Sequence, residues 1–270
     1  MRSHTTTPIA ATTLVVAVVL VALGSVELGS AIGGWPGLVF GVTMDLAILA
    51  AVAWYMAPRL ADLRGRGSDV RPWSVFGLRI AEGPRVFIYA AAAQLGAAVA
   101  TRGLFSSDPR VIDLTWPQWI LLMTAAVIAA PVWEELLFRG FLLDSYNKVV
   151  TSNVAVWGSA LVFGLAHVNS WPAVLHTVLF GAILARYLMA GGRFLTVVLV
   201  HVMSNASNAL ALLPGNPRTF DDADPTLVTV IAGVLVAIIA TALFFKRYGP
   251  QVDLPLGRRP SAVPVQSGHV

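Results

Sequence analysis

Cysteine is missing from all 270 residues. That absence excludes a disulfide framework, a thiolate nucleophile and any cysteine metal site. Chemistry in this chain must come from carboxylate, imidazole, hydroxyl or amide groups. Charge is scarce too: Asp, Glu, Lys and Arg make up 12% of the residues, about half the share of an ordinary soluble domain. Together with 57% hydrophobic residues and a mean hydropathy of +0.75, this excludes a soluble bundle and predicts a polytopic membrane protein. Period-two alternation is lacking, which excludes a membrane barrel and leaves helices to satisfy the backbone in lipid. No repeat period or low-complexity tract is evident. A net charge of +4 would suggest nucleic acid in a soluble protein. Here the arginines cluster beside apolar stretches, a topology signal, and no nucleic-acid partner is expected.

What is present is a series of apolar stretches: roughly Ile9 to Ile32, Gly37 to Ala57, Val86 to Thr101, Trp119 to Leu142, Val154 to Val168, Pro172 to Met189, Phe194 to Leu213 and Thr226 to Phe245. They predict an all-α, polytopic bundle of about eight transmembrane helices. One integral domain is expected over 1–249, with a catalytic core at 119–213. Residues 250–270, rich in Pro, Arg, Ser and Gly, read as a disordered tail. Arg2 ahead of an apolar run is also a feature of secretory signals. No compact core with a small-x-small cleavage site follows, so an uncleaved first helix is expected. Ser25, Gly29 and Gly33, spaced by four, permit close helix approach.

Arginine placement orients the bundle. Arg59, Arg64, Arg66, Arg71, Arg79 and Arg85 fall in one connection, which is therefore expected to be cytosolic. Alternation then places Lys148, Arg193 and the Lys246, Arg247, Arg258, Arg259 tail on the same side, with Asp221, Asp222 and Asp224 outside. Both termini are expected in the cytosol. Arg102 and Arg110 run against the trend, beside Asp108 and Asp113.

Against this apolar background two adjacent carboxylates stand out, in Trp133-Glu134-Glu135-Leu136-Leu137-Phe138-Arg139-Gly140. Burying ionised groups in a membrane helix costs at least about 2.5 kcal/mol each, and such a cost marks function more often than packing. Consecutive helical side chains diverge by about 100°, so the two acids differ in role. Glu135 has Arg139 at the favourable i to i+4 spacing and is expected to be ion-paired. Glu134 is left to point elsewhere, as a general base would. Further polar groups recur downstream: Phe163 and His167 share a helical face, as do His201 and Asn205. Glu135 and His167 lie equally far from a polar turn centred on residue 151, which predicts equal depth. His201, counted from Arg193, reads as shallower, a mismatch that a helix continuing through Phe141 to Asn153 would absorb. His201 and Asn205 are donors of the kind that stabilises an oxyanion. Taken together, these groups describe water-mediated amide hydrolysis.

Glu134-Glu135 to Arg139, Phe163 to His167 and His201 to Asn205 resemble, in order and spacing, the EExxxR, FxxxH and HxxxN motifs of the CPBP (Abi) intramembrane proteases. That family includes CAAX prenyl endopeptidases and bacteriocin-processing enzymes. The resemblance covers about a third of the chain, from Trp119 to Leu213. It implies an eight-helix membrane protease whose cavity opens to the cytosol. Glu134 and His167 would activate water, His201 and Asn205 would bind the oxyanion, and Glu135, Arg139 and Phe163 would support the site. No cofactor is expected. The alternative is one divalent metal such as zinc on His167, His201 and Glu134, although HExxH is absent. GxSxG is absent as well. Asp45 and Glu27 read as isolated acids that are solvated, packed or interhelical. Arg186 can snorkel to the surface, and His176 either lines the cavity or bonds a neighbouring helix.

Two other functions compete: a proton- or ion-coupled transporter using Glu134, His167 and His201 as a relay, and a non-catalytic immunity or scaffold protein of the same fold. The expected partners are a peptide or membrane-protein substrate and the bilayer itself. Oligomeric state is open. Abundant Ala, Val, Gly and Arg point to a high-GC bacterial source and a cytoplasmic membrane.

Overall fold

A computed structural model describes residues 7–65, 78–101, 115–167, 171–209 and 226–249. The expected tail at 250–270, and Arg102, Arg110, Asp108, Asp113 and Asp221 to Asp224, lie outside the described residues. The described residues form eight helices and no strand. They are α1 (Pro8–Ile32), α2 (Gly34–Gly65), α3 (Gly83–Thr101), α4 (Trp116–Asn147), α5 (Ser152–Leu165), α6 (Trp171–Met189), α7 (Phe194–Ala209) and α8 (Leu227–Arg247). Five of them, α1, α2, α4, α6 and α8, contain a window long and apolar enough to cross a membrane. The fold is a polytopic helical membrane bundle. Of the eight expected spans, α5 and α7 are shorter apolar helices.

Local chemistry sets the boundaries. Thr7 caps α1 by accepting the Ala10 N–H at 3.2 Å, with Pro8 at the first helical position. Gly33 (φ 71°) and Gly34 (φ 55°) turn α1 into α2 through a conformation that side chains with a Cβ resist. Gly33 thus makes the turn, while Gly29 makes the close approach: a Cβ there would lie 2.9 Å from the Gly37 carbonyl oxygen. Ser25 is buried but bonds the Ala22 carbonyl of its own helix.

Half of the apolar window of α6 is buried, against 17% for α1, so α6 is central and α1 peripheral. Helix α3 packs along both α8 and α6, and α5 lies against α6. The α3–α8 contact depends on Gly96 and Gly233. A Cβ at Gly96 would stand 2.6 Å from both the Ala237 nitrogen and the Gly233 oxygen. Gly96→Ala is therefore expected to cost about 1–3 kcal/mol by overpacking. The thermal midpoint in detergent measures it, and a parent-like midpoint would contradict so tight a contact. Outward faces carry Leu20, Val21, Ile231 and Ile238, as lipid contact requires.

Candidate active site

Helix α4 is not wound uniformly. Two stretches of wider, π-type winding, Thr124–Ala129 and Leu136–Leu143, flank the turn Ala130–Glu135 that carries both glutamates. Such bulges are rare and gather at functional sites. Pro131 supplies a local cause. The Ala130 N–H reaches back five residues to the Ala125 carbonyl. In that register the next carbonyl, Ala126, faces the N–H that proline lacks. Asn205 on α7 fills the gap, its Nδ2 donating to the Ala126 oxygen at 2.8 Å. Asn205→Ala is expected to cost about 1–3 kcal/mol, and much less in a Pro131→Ala background, where an N–H returns. Equal costs in the two backgrounds, measured by a double-mutant cycle on thermal unfolding, would sink this account.

Glu135 is fully buried. Its Oε1 accepts from Arg139 Nη1 at 2.9 Å and from His201 Nδ1 at 2.7 Å. The Arg139 guanidinium lies 4.2 Å from the centroid of the Phe163 ring. Room for it comes from Gly181 on α6, where a Cβ would sit 3.2 Å from Arg139 Nη2 and 3.0 Å from the Phe163 ring. Phe163 and Phe180 hold the His201 ring between them, at centroid distances of 5.9 and 5.1 Å.

Glu134 faces a different way. Its Oε2 is buried without a hydrogen-bond partner in the described residues. Two imidazoles point at that oxygen, His201 Nε2 from 3.7 Å and His167 Nε2 from 4.0 Å. His167 lies in the turn just beyond α5 rather than within the helix, and its Nδ1 donates to the Phe163 carbonyl at 2.9 Å. Both histidines therefore commit Nδ1 to structural acceptors and present Nε2 to Glu134. The hairpin of α4 and α5 brings His167 level with the glutamates. His201 arrives at the same depth, because α4 continues helical to Asn147 and so lengthens that arm of the hairpin.

The residues expected together are together: Glu134, Glu135, Arg139, Phe163, His167 and His201 form one contiguous group, with Asn205 bracing α4 beside it. One expectation changes. Arg186 does not snorkel; it is 2% exposed, its Nη1 donates to Asn153 Oδ1 at 3.2 Å, and its guanidinium lies by the Phe245 ring. The amide oxygen and the ring give the cation partners inside the bundle. His176 bonds a neighbouring helix, at 3.3 Å from Thr101 Oγ1. Glu27 is exposed, whereas Asp45 is half-buried on α2, within electrostatic range of Glu134. Sequence reasoning passed over Pro131, Gly181 and Gln94, whose Oε1 accepts from Ser204. A proline and a lone amide in apolar spans were the available signals.

The donor set His167, His201 and Glu134 has the chemistry to hold zinc. Among the described residues no group of three such side chains is already drawn together as a metal site. Tetrahedral bonds of about 2.0–2.1 Å would require the three atoms to draw together.

Neither a curated protein nor a solved structure matches the chain. A family model does: residues 116–207 match the type II CAAX prenyl endopeptidase Rce1-like family. That segment, about a third of the chain, holds Glu134, Glu135, His167, His201 and Asn205, and its match agrees with the CPBP (CAAX-protease) motifs that the sequence resembles.

Proposed function

We propose that this chain is an intramembrane endopeptidase, working as a single integral domain over 1–249, that hydrolyses a peptide bond by glutamate- and histidine-activated water. The observation that carries the reading is the convergence of His167 Nε2 and His201 Nε2 on the unpartnered Oε2 of Glu134. Gaps of 3.7 and 4.0 Å are too long for direct hydrogen bonds, which leaves this carboxylate oxygen uncommitted and available to an attacking water. Glu134 takes a proton from that water, and the hydroxide oxygen adds to the scissile carbonyl carbon. The proton then passes through His167, whose side chain is 32% exposed, to the leaving amine as the C–N bond breaks.

The oxyanion is assigned to His201 and Asn205. Asn205 keeps a second amide N–H after serving Ala126. His201 donates toward the cavity when Nε2 is protonated, since Nδ1 is committed to Glu135. Glu135, Arg139 and Phe163 hold these groups in place. The reaction proceeds without a metal cofactor, both termini face the cytosol, and the site opens to that side of a bacterial cytoplasmic membrane. Substrates are peptides or membrane proteins presented at the bilayer.

The test is cleavage of a peptide library, including a prenylated CAAX-type peptide, by the full chain in nanodiscs, with and without a chelator. Products from the parent but not from Glu134→Gln, unaffected by chelation, support the reading. Absence of products from the parent overturns it, and chelator-sensitive cleavage restored by zinc overturns its metal-free form.

A further inference from the structure

A second polar space lies away from the glutamates. It is a cavity of about 510 Å3 lined chiefly by Arg79, Glu82, Arg85, Tyr187, Arg247 and Tyr248. Its walls come from the start of α3, the ends of α6 and α8, and the turn before α7. Since α6 and α8 are long and apolar enough to span, this cavity stands where the bundle meets the membrane surface. It is separate from the candidate active site. Gln94, which bonds Ser204 one turn from His201, is about 16 Å along α3 from Gly83.

The walls are built for rigidity. Tyr187 is 1% exposed, and its ring packs edge-on against Tyr248 at 5.6 Å. Gly191 (φ 82°) turns the chain beneath that ring, and a Cβ at Gly192 would stand 2.3 Å from it. The Tyr187 hydroxyl donates to Glu82 Oε2, and Arg79 Nη1 donates to Glu82 Oε1 at 2.9 Å. Both oxygens of the acid are thus engaged within the protein. Burial pushes the Glu82 carboxyl upward, but the tyrosine hydroxyl and the Arg79 guanidinium outweigh it and hold the group below its usual range.

Glu82 therefore pairs with Arg79 and orients it, its charge also feels Arg85, and one carboxylate faces three arginines. Arg85 and Arg247 are exposed and form no ion pair among the described residues. A concave site of this size, with cationic forks in excess and tyrosine walls, has the dimensions of a small-ligand pocket. Guanidinium forks match tetrahedral oxyanions bidentately. At headgroup depth the abundant anion of that shape is phosphate, and basic pockets between helices take phospholipid headgroups.

We infer that this cavity binds a phosphate-bearing anion at the membrane surface, with Arg85 and Arg247 as its charged contacts, Arg79 positioned by Glu82, and Tyr187 and Tyr248 as walls. Native mass spectrometry of the full chain in detergent, offered phosphatidylglycerol or phosphatidylcholine, tests it. A parallel thermal-shift series with inorganic phosphate separates the two sources of that chemistry. The parent is expected to retain phosphatidylglycerol preferentially. The double variant Arg85→Gln, Arg247→Gln is expected to lose about 25-fold in that preference, about fivefold per arginine. Lys246→Gln, an exposed cation outside the cavity, is expected to behave as the parent. A shift with inorganic phosphate that the double variant lacks, without lipid preference, supports the site with a free anion as its ligand. If the double variant matches the parent with both probes, or if Lys246→Gln loses as much, the inference fails. Both arginines are exposed, so an unchanged midpoint of the ligand-free double variant verifies folding.

Discussion

Glu134→Gln is expected to lower kcat/KM for peptide cleavage by about 10³-fold while leaving the thermal midpoint of the protein unchanged. The magnitude is that of removing a positioned general base. The unchanged midpoint follows from the bonding: Oε2 of Glu134 accepts no hydrogen bond in the described residues, so an amide of the same shape costs the fold little. His167→Ala is expected to slow turnover by a smaller factor, since water can replace part of a proton shuttle. Initial rates on one cleaved peptide, with the midpoint recorded on the same preparations, check both. A loss under about 10-fold for Glu134→Gln would remove the carboxylate from the reaction. A collapse of the midpoint would place it among the structural groups instead.

Arg139→Met is expected to have the opposite profile, with a loss of folding stability of about 3–5 kcal/mol. Removing the guanidinium leaves Glu135, which is fully buried, with His201 alone as partner for its charge. The double change Glu135→Gln, Arg139→Met removes both charges and is expected to recover much of the loss. Unfolding measured for the parent, both single variants and the double gives the coupling directly. Additive single costs of under about 1 kcal/mol each, typical of an exposed pair, would contradict the burial that defines this contact.

How much of this was legible beforehand depended on the kind of interaction. The eight helices could be read because apolar length is a property of the chain alone. The split between Glu134 and Glu135 could be read because helical geometry fixes an angle between neighbours, and Arg139 lies within one turn. The pinning of both histidines through Nδ1 was not legible, because one acceptor is a backbone carbonyl and the other belongs to a different helix. The sequence reads Asn205 as an oxyanion donor; its bond to Ala126 depends on a carbonyl that Pro131 leaves open, and only packing brings α7 to that carbonyl. Arg186 departs from its sequence reading for a related reason. A cation near a helix end snorkels unless a neighbour offers partners, and Asn153 with Phe245 does so here. The depth of His201 stays open in the sequence because it turns on how far α4 continues as helix past Phe141, and the helix runs to Asn147, a length that hydropathy does not report.

The brevity of α5 bears on how the proposed substrate would reach Glu134. Fourteen residues span about 21 Å, well short of a hydrocarbon layer of about 30 Å. Its outward side is nonetheless oily, with Val154, Trp157, Leu161 and Leu165 exposed. A helix this short suits a locally thinned bilayer, so the proposed site would stand beside a shallow stretch of hydrocarbon. An incoming substrate would cross a dimpled leaflet instead of a full one, and water would meet it there.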